Sequence, residues 1–322
     1  MKYFSIINSF NIYQCEPNKD RFKLFGKNVL KLTGIRNGKA FCAKPFPAEL
    51  LKEFDVEKER WLNLIRRPVN VKNYLWPVDI VDLSGNSFRK DYALLIPLSV
   101  GLGGYESIAD SLTNTATVNS DINIESNTAL VKNLIDAWCG FDEARYLYHE
   151  FSFNNLFCNM DNEVMFDFSF SVHEYNNLSD GVRVSIGKIH PDYADVYYYQ
   201  AKSTKMDVIS DYFSMAVILF RLLIGRLPYH GRLLEGVHNM TGQEHSDWIR
   251  KYHKNPIFIF DENENVNRLS STTAYPERYE QRWERLTPVV RGMFAAVFKT
   301  DNALRQTPPV FYTPHDWRNA LS

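Results

Sequence analysis

Long hydrophobic runs are missing from this 322-residue chain. The longest, Met215 to Leu223, contains Arg221 and falls well short of the roughly 20 apolar residues that a bilayer-crossing helix needs. The opening Met1-Lys2-Tyr3 leads into a short apolar stretch broken by Asn8, Asn11 and Gln14, so no secretory signal is read there and a cytoplasmic protein is expected. Charge of one sign is absent too. The 37 Lys and Arg against 38 Asp and Glu leave a formal charge of −1, which gives no global field for nucleic acid or an anionic membrane, and neither is expected as a partner. Cysteine is sparse: the four, at 15, 42, 139 and 158, lack zinc-ligand spacing and three lie in apolar runs, so reduced, buried thiols are expected. Glycines cluster at Gly101-Leu102-Gly103-Gly104, but no Gly-Lys-Ser/Thr follows, which makes a turn of it and not a phosphate loop.

What the chain does have is 45% hydrophobic residues, ample for a core in one large domain or two lobes. Its first hundred residues read as mostly strand with one helix. Phe22–Leu32 and Lys39–Lys44, separated by Thr33-Gly34 and Asn37-Gly38, predict a β-hairpin. Lys44 ends its strand, either as a solvated strand end or as a phosphate ligand. Ala48 to Arg67 predicts a helix in which Glu57, Trp61 and Ile65 share a face. Residues 74–81 and 91–98 read as two further strands, and the polar stretch 113–128 as a surface loop. A helix is predicted from Ala129 to about Tyr148 with Leu130, Leu134, Ala137 and Trp138 on one face. Another, almost wholly apolar, runs from a cap near Ser210 to Gly225, and a third spans Pro288–Phe298.

The stretch from Ala144 to Ser169 concentrates polar groups in an apolar setting. Leu156-Phe157-Cys158 and Val164-Met165-Phe166 predict two short buried strands joined by Asn159-Met160-Asp161-Asn162, with Asn155 and Asp167 at the ends of that hairpin and Glu150 just upstream. Converging oxygen-bearing side chains of this kind suit a hard cation such as Mg²⁺ that also holds a nucleotide's phosphates. A plain polar turn between buried strands reads the same way.

The motifs and their order resemble the protein-kinase-like superfamily. Glu150 precedes Asn155 by five positions, as a catalytic Asp precedes an Asn in that family, and Asp167-Phe168-Ser169 stands where a D-F-G follows. Trp76-Pro77-Val78-Asp79 and the strand ending in Ile96-Pro97 resemble its bacterial and phage-type branch. The resemblance implies an α+β, bilobal protein-kinase-like fold: a small β-rich N-lobe with one main helix over residues 1–98, and a larger, mostly helical C-lobe over 99–322. It implies ATP and Mg²⁺ as cofactors, and an unidentified protein substrate or partner. Lys44 would hold the α- and β-phosphates, oriented by Glu57 or alternatively Glu59. Ile96 to Leu98 would be the hinge that reads adenine, with Phe157 also against the nucleotide. Asn155 and Asp167 would hold the metal, Glu150 would orient the acceptor hydroxyl, and Asp211 would bond the backbone of the catalytic loop.

The chain departs from the family pattern in four places. Only Gly26 stands in the phosphate-covering hairpin, Glu150 replaces Asp, Ser169 replaces Gly, and Tyr197-Tyr198-Tyr199-Gln200 occupies the place of an aromatic-Pro-Pro-Glu, leaving Arg305 without the Glu it would pair with. The reading is therefore an ATP-dependent protein phosphotransferase with degenerate motifs. Alternatives are a nucleotide-binding pseudokinase that acts as a scaffold or regulator, and a nucleotidyl transferase using the same ligands.

Overall fold

Burial alternates strictly along the first residues, exposed and buried by turns over Lys2–Ser5, which is the mark of a strand with one face in a core. The computed structural model describes residues 1–15, 21–24, 27–69, 73–85, 91–98, 104–109, 124–167, 170–178, 182–183, 190–201, 205–234, 243–263, 265–269, 273 and 276–322. Gly26, Gly101 to Gly103, most of the loop expected over 113–128, and Phe168-Ser169 lie outside these residues. The chain divides into two compact units, Met1–Ser111 with Leu156–Phe168, and Leu112–Asn155 with Ser169–Ser322.

In the first unit the strands are β1 (Lys2–Ser5), β2 (Ile12–Gln14), β3 (Arg21–Leu24), β4 (Lys27–Gly34), β5 (Ala40–Pro45), β6 (Asp79–Asp82) and β7 (Tyr92–Pro97). They pair in the order β2-β1-β6-β7-β5-β4-β3, all antiparallel, and β2 also pairs with β4. That last pairing closes six strands into a barrel, with β3 as an extension of β4. The expected bilobal protein-kinase-like fold, with a β-rich N-lobe, is thus corrected: the strands make a closed antiparallel barrel. The physical cause lies in the first fifteen residues, whose strands supply the two staves that leave the six-membered ring without an unpaired edge.

Two features hold those staves. Tyr3, Tyr13, Leu32, Phe41, Ala43, Val81, Ala93 and Leu95 form one buried cluster, drawn from six strands by their alternate residues. The buried Asp79 carboxylate then gathers four donors: Ser5 Oγ and Ile80 N on Oδ1 at 2.6 and 2.8 Å, Tyr13 Oη and Asn11 Nδ2 on Oδ2 at 2.6 and 3.2 Å. Three of the four come from the N-terminal segment, so Asp79 ties the closing strands to β6.

The predicted helix over 48–67 forms as two pieces, α1 (Ala48–Lys52) and α2 (Phe54–Arg66), broken at Glu53. Phe54 stacks on Tyr92 at 4.2 Å, Trp61 meets Phe46 edge-on, and Trp76 Nε1 donates to the Leu64 carbonyl, so α2 is bound through aromatic contacts. The unit is completed by β8 (Glu106–Ser107), β10 (Leu156–Cys158) and β11 (Val164–Phe166), which form a separate three-stranded sheet.

The second unit is mainly helical. Helix Ile124–Glu143 buries the expected Leu130, Leu134, Ala137 and Trp138, but stops before β9 (Tyr146–Leu147), five residues short of the predicted end. At its centre is helix Val208–Ile224, buried along almost all its length. Its cap is Asp207, whose side chain accepts from Ser210 N, three residues upstream of the expected position. Gly225 ends it with a φ of 89°, and a Cβ there would stand 2.5 Å from the Arg282 guanidinium that donates to the Ile224 carbonyl. Phe220 on this helix is ringed by Phe258, Phe294 and Phe298. Helix Pro288–Phe298 has the predicted bounds, with Thr287 as its cap. Among the described residues no helix is long and apolar enough to cross a membrane.

Candidate functional site

The predicted hairpin forms in the first unit: Leu156 pairs with Phe166, Phe157 with Met165, and Cys158 with Val164. Its turn is built by Asn159, whose Oδ1 accepts from Asp161 N and Glu163 N, and by Asn162 at a φ of 59°, a left-handed conformation that Asn tolerates. Leu75 N donates to the Phe166 carbonyl, fixing the strand just before Asp167. Lys44, one residue from the end of β5 and paired with Leu94 on β7, places Nζ 3.0 Å from Asp167 Oδ2. Asp167 is 8% exposed while the Lys44 side chain keeps part of its surface in solvent, so only the carboxylate end of the pair is buried. Beside it, burial pushes the Cys42 thiol up to about 12, with Lys44 pulling it down and Asp167 pushing it further up.

The structure departs from the expected partner of Lys44. Glu57 accepts a hydrogen bond from Arg60 of its own helix, and Arg60 also lies 3.6 Å from the Trp61 ring, so that carboxylate is turned along α2. The alternate, Glu59, is exposed and meets Arg66 only at 4.0 Å. Asp167 takes the place that either was expected to hold. Ile96 pairs with Cys42 inside the barrel wall, and Leu98 N donates to the Ala40 carbonyl at 3.0 Å, so the backbone donor expected to read adenine already has an acceptor. Phe157 is buried between Met165 on β11 and Ser107 on β8.

In the second unit, β9 pairs with β12 (His173–Glu174) and the chain then turns sharply through Tyr148-His149-Glu150. Asp211, in the first turn of the central helix, accepts from Tyr148 N at 2.6 Å and His149 N at 3.0 Å, the bond to the loop backbone that the motif order implied. His149 has a φ of 62°, and its buried Nδ1 stands 2.9 Å from Asp211 Oδ1, although neither ring nitrogen makes a directional hydrogen bond. A non-glycine residue in this conformation is held there by its surroundings. Phe151 and Phe153 pin the loop on either side of Ser152, the first against Tyr148 and Trp138, the second against Tyr193 and the Arg221 guanidinium.

Between these anchors Glu150 and Asn155 are brought together. Asn155 Nδ2 donates to the Glu150 carbonyl at 2.8 Å, which orients the amide and leaves Oδ1 as its acceptor, and Ser171 Oγ donates to Glu150 Oε1 at 2.8 Å. Asn155 is the last residue before the Leu156 strand and the last of its stretch of the second unit, whereas Asp167, the first residue after the Phe166 partner strand, belongs to the first unit.

Arg305, which lacked a partner in sequence, has two. Its guanidinium donates to Asp195 Oδ2 at 2.6 Å and to both Asp207 oxygens at 2.9 and 3.1 Å, and lies over the Tyr197 ring. Burial raises the Asp207 carboxyl, but the bonds from Arg305 outweigh it and hold it below the ordinary range. Asp195 thus does, from the start of helix Val196–Ala201, what a Glu near Gln200 was expected to do. Sequence reasoning missed Ser171, Asp195 and Asp207. Asp207 carried a signal, an Asp three residues before Ser210 at a helix start; Ser171 carried none, since its bond spans 21 positions.

Among the described residues no three His, Cys, Asp or Glu converge as a metal site. Asp167 in the first unit offers a carboxylate and Asn155 in the second an amide oxygen, each by itself a type of ligand that a hard cation takes. No family model matches the chain, and no curated protein matches its sequence.

Proposed function

We propose that the chain is an ATP-dependent phosphotransferase that moves the γ-phosphate of ATP to a hydroxyl of a protein substrate. The observation that carries this reading is the Lys44–Asp167 pair: a half-buried ammonium held 3.0 Å from a buried carboxylate, the two charges of opposite sign that a phosphate chain and its cation require. The barrel fold contributes nothing to the argument; the site does. Lys44 would hold the phosphates and Asp167 the Mg²⁺ that would neutralise their charge, with Asn155 the further metal ligand that the motif order implies. Glu150 orients the acceptor hydroxyl and takes its proton, with Asp211 holding the loop that presents it. A cytoplasmic location accords with this use of ATP and with four buried cysteines that form no disulfide.

A second reading is nucleotide binding without transfer. Two observations favour it: the Ser171 hydroxyl occupies Glu150 Oε1, and the Leu98 N–H is spent on Ala40. Incubation with ATP labelled at the γ- and, separately, the α-phosphate discriminates them. Transfer of γ-label that is lost in Glu150→Gln, with MgATP affinity kept, supports the phosphotransferase. Transfer of α-label points to nucleotidyl chemistry, and absence of both refutes transfer altogether.

A further inference from the structure

The second unit contains a cleft of about 460 Å³ that no part of the proposed reaction uses. Its floor is the exposed side of helix Pro288–Phe298, where Gly292, Ala295 and Ala296 leave the surface low, and a Cβ built on Gly292 meets no atom within 4 Å. One wall is aromatic, Trp283 stacked on Phe260 with ring centroids 4.6 Å apart. The lining runs along the helix from Pro288 to Lys299, which at about 1.5 Å per residue is roughly 16 Å. An extended chain covers that length with about five residues at about 3.3 Å each. Charges of both signs border it: Arg291 and Lys299 on the helix, Asp261 and Glu262 on the facing loop. Arg291 Nε has no hydrogen-bond partner among the described residues, so the guanidinium that lines the cleft is a cation with donor capacity left over. Asp261, in contrast, already accepts from Asn263 N.

We propose that this cleft docks an extended segment of a partner protein, about five residues long, with an acidic side chain for Arg291, an apolar side chain over Gly292 against the aromatic wall, and a basic side chain for Glu262. The length of the floor favours a peptide over a small molecule. The mixed border favours a segment carrying both charges over a uniformly acidic or basic one. This inference is independent of the phosphotransferase reading, since it uses none of that site's residues.

The test is fluorescence anisotropy of the intact chain with labelled synthetic peptides that carry one Glu, one Leu and one Lys, in every order, in a serine background. Saturable binding by a subset of orders, weakening at raised ionic strength, is expected. Arg291→Gln should reduce affinity by at least about tenfold, the loss of one charge-assisted hydrogen bond. Gly292→Leu should abolish binding by filling the floor, while its melting temperature matches or exceeds that of the parent because leucine is the better helix former. Binding by no peptide, or equal binding to the parent and both variants, overturns the proposal. Loss in Gly292→Leu with none in Arg291→Gln overturns it as well, because the guanidinium would then have no role in docking.

Discussion

Replacing Asp211 with alanine removes the carboxylate that accepts from two buried backbone donors, Tyr148 N and His149 N, at 2.6 and 3.0 Å. Both residues are within 1% of full burial, so water cannot substitute without opening the loop. Each orphaned donor costs about 1–3 kcal/mol, which puts the loss between about 2 and 6 kcal/mol and near 4 for the pair. A first-turn carboxylate acting only as a cap would lose about 1 kcal/mol. Asp211→Asn should fall between, because its amide oxygen can keep one of the two bonds. Urea unfolding at neutral pH measures the total, and hydrogen exchange of a peptide covering residues 146–155 shows whether the loop opens. A loss near 1 kcal/mol in Asp211→Ala, with protection at Tyr148 and His149 unchanged, would refute the bridging role and the loop geometry that depends on it.

The Lys44–Asp167 pair predicts that MgATP raises the melting temperature, by the equivalent of about 2.7 kcal/mol at a hundred times Kd, and that Asp167→Asn removes most of the rise. Equal shifts for ATP with Mg²⁺ and ATP with chelator would count against Asp167 as a metal ligand. His253 predicts a pH effect elsewhere. Burial holds its imidazole down to about 4 although Nε2 lies 2.8 Å from the Pro191 carbonyl, so the unfolded chain takes up a proton that the folded one refuses as pH falls from 6.5 to 4. Stability should fall by about 3 kcal/mol across that window. His253→Gln, which keeps a donor for Pro191, should flatten the profile, and parallel profiles for parent and variant would disprove the assignment.

The hairpin at 156–166 was legible because its information is local. Two apolar runs of three flank an Asn-rich turn, and strand pairing follows wherever Asn159 and Asn162 can supply the turn's bonds and its left-handed step. Helix Pro288–Phe298 was legible for the same reason, through Thr287 and Pro288 at its start. The partner of Lys44 was not. The helical face shared by Glu57, Trp61 and Ile65 pointed to Glu57, but Arg60, three residues on, offered that carboxylate a nearer cation, while Asp167 lies 123 positions from Lys44.

By itself the sequence determined the polar residues concentrated around the hairpin, the buried central helix and the absence of disulfide or zinc spacing, each of which depends on neighbours within a few positions. Tertiary structure alone decided that the first strands close a barrel, because closure requires β2 to meet β4 and three donors of the N-terminal segment to meet the Asp79 carboxylate, contacts between segments whose pairing no local period encodes. It alone also decided which acids serve which bases. A charge pair is chosen by distance in the folded chain, so Arg305, for which the sequence offered no partner, found Asp195 and Asp207, and Lys44 found Asp167 where helical spacing had pointed to Glu57.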